Sequence, residues 1–166
     1  VRHSAKPGQV YWNILQGELD TDALEGADAV VHLAGESIAG ARWTAHKRSR
    51  IMDSRVQGTR LLAQSIAELR EQPKVLVSAS AIGFYGDGGD VIQTEDSSPG
   101  DNFLAQICKA WEAETRRVAD AGIRVVNFRV GIVLAPHGGA LKEMLPVFRM
   151  GGGGPLGGGR QWISWI

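Results

Sequence analysis

The chain has 166 residues and balances 18 Lys plus Arg against 18 Asp plus Glu. That length supports one domain with a real core, and the charge balance excludes a global pull toward nucleic acid or an anionic membrane surface. No apolar run is long enough to span a bilayer, and no stretch reads as a signal peptide. The single cysteine, Cys108, rules out an internal disulfide framework and suits a reducing cytoplasm, the expected compartment. His3, His32, His46 and His137 are scattered without ligand spacing, so no metal site is expected.

In chain order, Val1, Arg2 and His3 read as the tail of a strand, and Val10, Tyr11 and Trp12 as a second short one after the Pro7-Gly8 turn. Asp20 or Thr21 can cap a one-turn helix through Leu24, stopped at Gly26. The run AVVHL at 29–33 reads as a buried strand. It leads into Ala34 and Gly35, small residues that let a ligand approach the backbone.

A long helix is predicted from Trp43 or Thr44, because Ile51, Arg55, Gly58, Leu62, Ile66 and Leu69 recur every three or four residues. Gly58 weakens that helix by about 1 kcal/mol against alanine. Its presence suggests close packing on the sheet or a cofactor. Arg42, Lys47, Arg48, Arg50 and Arg55 cluster at the front. They read either as a solvated face or as guanidinium groups aimed at phosphate.

The stretch VLVSASAIGFYG at 75–86 organises the rest. Val75, Leu76 and Val77 read as a strand buried on both faces, as in a parallel sheet. Ser78 and Ser80 follow at its carboxyl end, the edge where ligands bind in open α/β sheets. They are either chemical groups or caps for backbone at the strand end. Tyr85 sits just past them.

A polar loop over residues 87–100 is expected to lie over the site. Asp101 is the expected cap of a helix at 102–121, with Phe103, Leu104, Ile107, Cys108 and Trp111 as its apolar stripe and Glu112 off it. A strand at 123–130 and a short helix at 141–150 complete the alternation, which argues for a doubly wound parallel sheet. The glycine run at 151–159 is either a linker or a mobile flap, and the aromatic segment QWISW directly after it favours the flap.

Several motifs together resemble one family. AVVHLAG at 29–35, RVQGT at 55–59, the Ser-rich strand end with Tyr-Gly at 78–86, and the strand and turn at 128–134 resemble the extended, sugar-epimerase-like short-chain dehydrogenases/reductases. With FLAQICKAWE and GGPLGGGRQWISWI, the match is closest to an atypical branch, the NAD-dependent epimerase/dehydratase-like proteins of the SDR39U1/YfcH type. The resemblance implies a Rossmann-like α/β fold with a nicotinamide dinucleotide across the strand ends.

By that resemblance Arg2 falls at the end of the second strand, where an arginine pairs with a 2′-phosphate and implies NADP. Leu33, Ala34 and Gly35 would lie along the dinucleotide, with Ser78 at the neighbouring strand end. Arg50 and Arg55 would face its ribose and phosphates, and Ile132 would pack near the nicotinamide. Residues 1–150 would form a partial NADP-binding domain. Residues 151–166 would form the glycine-rich flap and the start of a substrate-binding region.

The pattern also departs from the family. Ordinary members use Ser, Tyr and Lys, with Tyr four residues before Lys. Here the serine survives as Ser80 or Ser78, but Leu104 and Cys108, or Ala105 and Lys109, stand at the other two places. Tyr85 is the candidate substitute acid/base, and Ser80 the candidate polariser of a substrate oxygen. Arg55 replaces the asparagine of the usual relay. The family's glycine turn and first strand should precede Val1, so the sequence is expected to be a fragment that also lacks most of the C-terminal substrate part.

The expected function is hydride transfer as an NADP-binding oxidoreductase or epimerase-like protein. The alternative is a non-catalytic NADP-binding sensor or regulatory module. The expected partner is a small-molecule substrate, with no nucleic acid and no membrane, and a homodimer is the candidate assembly.

Overall fold

Three parallel strands form the central sheet of the computed structural model, which describes residues 8–39, 42–155 and 157–166. Arg2 and the predicted strand around it lie outside the described residues. A two-stranded antiparallel ribbon comes first, β1 (Trp12–Asn13) and β2 (Glu18–Leu19). The sheet strands are β3 (Ala29–His32), β4 (Val75–Ala81) and β5 (Arg124–Val130), in spatial order β3-β4-β5. Register sets Val30 beside Leu76 and Leu76 beside Val125, and farther along Ser80 beside Arg129. The carboxyl ends of all three strands therefore share one edge, spaced by about 4.8 Å per strand.

Side chains alternate across this sheet as the pleat requires. Val30, His32, Leu76, Ser78 and Ser80 are buried, whereas Val31 is 60% and Phe128 56% exposed. Burial on both faces, expected from the apolar runs, is met on the helix-side face of β3 and β4, while on the other face Ala79 is buried but Val31 and Phe128 stay exposed. An apolar run shows that a strand can be covered on either side, and packed neighbours decide which side is covered.

The covering layer starts with α1 (Ala45–Ala67). The helix starts where the sequence suggested, and the Thr44 hydroxyl caps it by accepting from the Lys47 N–H at 3.2 Å. Ile51, Leu62 and Ile66 are buried as predicted, and Leu62, Ala63 and Ile66 join Val30, Leu76, Val118 and Ile123 in the core. Gly58 has a different reason from the one expected. A Cβ there would meet Ile14 Cδ1 at 3.1 Å and Trp12 Cζ2 at 3.5 Å, so the glycine admits the β1–β2 ribbon, not the sheet or a ligand. The one-turn helix expected near Thr21 is a run of turns instead, with Gly26 at φ +70°.

The second covering helix is capped by Asn102 instead of Asp101: its side chain accepts from Ala105 N–H at 2.9 Å. What reads as one helix divides into α2 (Phe103–Glu114) and α3 (Arg116–Asp120) at Thr115, whose hydroxyl donates to the Glu112 carbonyl at 2.7 Å. A side-chain donor of this kind competes with the helix's own backbone bonds. α4 (Gly139–Arg149) follows β5 and has no buried residue. The end of the chain returns to the sheet edge, where Ile132 N–H donates to Ser164 O at 2.9 Å and Ile166 N–H to Ile132 O at 3.1 Å.

Candidate functional site at the strand tips

At the tip of β3, Leu33 is 68% exposed and Ala34 and Gly35 are exposed beside it. Gly35 lies against Arg55 of α1, since a Cβ at Gly35 would stand 3.2 Å from the guanidinium carbon. The Arg55 guanidinium is fixed by one edge: its Nη1 donates to Glu36 O at 3.0 Å and to Ile51 O at 3.1 Å. It also lies 5.1 Å from the centroid of the Trp111 ring. Arg55 is half-buried, and burial lowers its pKa from the ordinary arginine value, opposed by nearby Cys108 and Glu36. Arg50 behaves differently. It is an exposed partner of Glu36, at 3.1 Å, which also binds Lys47 at 2.6 Å. Lys47 in turn lowers the Glu36 pKa.

Beneath the β3 tip, His32 is 3% exposed. Its Nε2 is 2.9 Å from Thr59 Oγ1, and its ring sits 5.5 Å from that of Trp12 and 6.5 Å from that of Trp111. Burial drives its pKa down from 6.5 to about 4, so the imidazole is neutral at pH 7. This histidine is part of the core, with one hydroxyl partner and no metal-ligand neighbour among the described residues.

At the tip of β4, both serines face the helix layer. Ser78 is fully buried, and its hydroxyl reaches only Ala79 O at 3.4 Å. Ser80 is 3% exposed and donates to Glu112 Oε1 at 2.6 Å. Glu112 also accepts two bonds from Arg129 of β5, Nε to Oε1 and Nη2 to Oε2, both at 2.9 Å. Arg129 Nη1 donates in turn to the Tyr85 hydroxyl at 3.0 Å and to Glu95 O at 3.3 Å, and its guanidinium lies 3.5 Å from the Phe84 ring centroid. The Glu112 bond raises the Arg129 pKa above the usual arginine range, and Tyr85 adds to it against the cost of burial.

Ser80 and Tyr85, separate candidates in the sequence, are thus ends of one relay through Glu112 and Arg129. Sequence reasoning set Glu112 off the buried stripe of α2 and did not single out Arg129. Two signals pointed to them. Glu112 falls one turn after Cys108, and Arg129 alternates with Phe128 and Val130, which gives it the helix-side face.

Cys108, at the place of the family's lysine, is 3% exposed and sends its thiol to Ala81 O at 3.7 Å. Burial pushes its pKa up, which leaves it a thiol. Leu104 packs under Gly83, where a Cβ would meet Leu104 Cβ at 3.2 Å. Tyr85, Glu112, Phe128 and Arg129 line one side of a cavity of about 1290 Å³, and the loop at 87–95 with Arg160 and Trp162 lines the other. Trp162 Nε1 donates to Asp90 at 2.7 Å and ties the segment after the glycine run to that loop. The polar loop does lie over this edge. At the β5 tip Ile132 is 37% exposed.

An open parallel sheet with a helix layer, strand ends on one edge and exposed small residues at that edge defines the Rossmann-like class of α/β proteins. A sequence model of the NAD dependent epimerase/dehydratase family matches residues 5–166, and the chain belongs to that family.

Among curated relatives, Epimerase family protein Mb2239 of Mycobacterium bovis is 42% identical over 99% of this chain and 54% of its own length. Human Epimerase family protein SDR39U1 is 37% identical over 96% of this chain and 54% of its own length. The chain therefore spans about half the length of these relatives. Among solved structures, a nucleoside-diphosphate sugar epimerase from Corynebacterium glutamicum superposes with TM-score 0.82 at 42% identity, covering 99% of this chain and 34% of that one. Human SDR39U1 isoform 2, crystallised with NADPH, gives 0.79 at 38% identity, covering 86% and 49%. These relatives make the chain an atypical short-chain dehydrogenase/reductase of the SDR39U1 type, as its motifs implied.

Proposed function

We propose that this chain is the nucleotide-binding part of an NADP(H)-dependent oxidoreductase or epimerase-like protein. The observation that carries the reading is the meeting of three strand tips on one edge, with the exposed backbone of Leu33, Ala34 and Gly35 backed by the Arg55 guanidinium. The residues fit a dinucleotide. Gly35 leaves the guanidinium accessible past a backbone without a Cβ, and the front of α1 carries Lys47, Arg50 and Arg55, of which Lys47 and Arg50 meet the carboxylate of Glu36. The structure of human SDR39U1 with NADPH supports NADP over NAD, as does the arginine at position 2.

In this reading Leu33, Ala34 and Gly35 lie along the dinucleotide and Arg55 meets its ribose or phosphates. Ile132 packs beside the nicotinamide. The bound cofactor supplies hydride chemistry. Tyr85 is the acid/base group, held toward the cavity by Arg129. Ser80 polarises the substrate oxygen after its hydroxyl turns from Glu112, a rotation about one side-chain bond. The substrate is a small molecule in the cavity beneath the 87–95 loop.

A second reading, a non-catalytic NADP-binding module, is favoured by the 2.6 Å bond that engages the Ser80 proton and by Leu104 and Cys108 at the places of the usual tyrosine and lysine. Fluorescence titration of the full-length protein with NADPH and NADH tests the shared part, and NADPH is expected to bind more tightly. Arg2→Asp should weaken NADPH more than NADH, and equal loss would remove the 2′-phosphate role. Ser80→Ala separates the two readings. In the first it abolishes turnover with cofactor affinity kept, and in the second there is no turnover to lose.

A further inference from the structure

The cavity that Tyr85 and Arg129 line runs along the outer edge of β5, since the consecutive residues Val126 to Arg129 all border it and β5 ends the sheet. Its volume of about 1290 Å³ makes it about one Debye length across at physiological salt, so each charge on the lining acts on whatever the cavity holds. Four carboxylates and two guanidinium groups line it. Glu112 and Arg129 cancel each other in their forked pair. Asp87, Asp90 and Glu95 are left against Arg160, and none of these is in an ion pair among the described residues.

The uncharged part of the lining is apolar and left to water. Val91 and Ile92 of the covering loop are 70% and 86% exposed, Trp162 is 81% exposed and Phe128 56%. Four large apolar side chains around one cavity are more than scattered surface residues, and all of them gain by covering an apolar molecule. A nucleoside diphosphate in the same space meets the opposite situation. Its phosphates would face three carboxylates and a single free guanidinium, so they would be repelled and short of donors.

We propose that this cavity takes an uncharged, largely apolar small molecule bearing a carbonyl or hydroxyl group, and that Asp87, Asp90 and Glu95 turn anionic competitors away. The inference rests on the proposed hydride chemistry for the oxygen of the substrate, and it adds a substrate class to a reading that named none. The apolar side chains supply affinity through their burial. The carboxylates supply selection, because like charge penalises an anion more than an uncharged ring of the same shape.

The test titrates full-length protein by ligand-observed NMR at low salt with three probes: 2-acetylnaphthalene, the same ketone carrying a 6-carboxylate, and UDP-glucose. Wild-type protein should bind the uncharged ketone at least about threefold more tightly than its carboxylate, and more tightly than UDP-glucose. Asp87→Asn combined with Glu95→Gln should close the gap by raising the affinity for the carboxylate. Val91→Ser combined with Ile92→Ser should weaken the ketone by about fivefold. All four positions are exposed, so the variants are expected to fold. Equal or preferred binding of either anion by the wild type overturns the inference, as does failure to bind the ketone or a gap that survives the loss of both acids. NADPH fluorescence on the same wild-type sample separates the two readings. Protein that binds NADPH but prefers UDP-glucose keeps the dinucleotide reading and loses this one, and protein that prefers the ketone but ignores NADPH does the reverse.

Discussion

The corner between β3 and α1 and the corner between β4, α2 and β5 solve the same problem in opposite ways. Each brings an arginine into partial burial near the strand tips. In the second corner Glu112 meets Arg129 edge to edge, Ser80 supplies a further donor to the carboxylate, and the Phe84 ring lies against the guanidinium. In the first corner two backbone carbonyls and an indole hold Arg55, and three of its five N–H donors have no hydrogen-bond partner among the described residues. A saturated network fixes geometry, whereas an unsaturated one holds binding capacity in reserve. The candidate catalytic hydroxyls belong to the saturated corner and the candidate cofactor contacts to the open one.

Breaking the saturated corner should give the largest effect. The Glu112 and Arg129 side chains are 14% and 19% exposed, so Glu112→Ala strands a nearly buried guanidinium and should cost about 3–5 kcal/mol, read from urea unfolding. A cost under 1 kcal/mol would mean that the pair is solvated and does not fix Tyr85.

Next comes pH. His32 binds a proton in the unfolded chain below its ordinary 6.5 but only near 4 in the folded one. Stability is therefore expected to fall as pH drops from 6.5 toward 4, by about 3 kcal/mol in total from this residue. Urea midpoints at several pH values should show the slope, and His32→Gln should flatten it.

Thr44→Ala, which removes the cap of α1 in front of the open corner, should cost about 1 kcal/mol. Arg55→Met should change stability by less than about 1 kcal/mol, because an unpaired charge leaves with it. That result beside the Glu112→Ala loss would sharpen the contrast between the corners, and a large loss from Arg55→Met would erase it. Lys74→Ala, at a pair exposed on both sides, should not move the midpoint measurably.

The legible part of this molecule was local. The start of the long helix near Thr44, the three-and-four spacing from Ile51 to Leu69 and the alternation of strands with helices each follow from a few neighbouring residues. The misread parts depended on distant partners. Gly58 looked like an accommodation to the sheet or a cofactor and instead admits Ile14 and Trp12, more than forty positions earlier. Asp101 and Asn102 are both good caps by composition, and only the path of the incoming loop chose Asn102. Glu112 read only as a residue off the apolar stripe until the fold brought Arg129 from β5 to it.

By itself the sequence determined most of the sheet strands and covering helices, the parallel character of the sheet and the family, because propensity, periodicity and motif spacing act over short stretches of chain. Only the tertiary structure decided which polar groups are spent and which are free. Whether Ser80 keeps its proton, or Arg55 keeps an open edge, depends on acceptors that residues far apart in the chain bring within about 3 Å, a distance that no local pattern encodes.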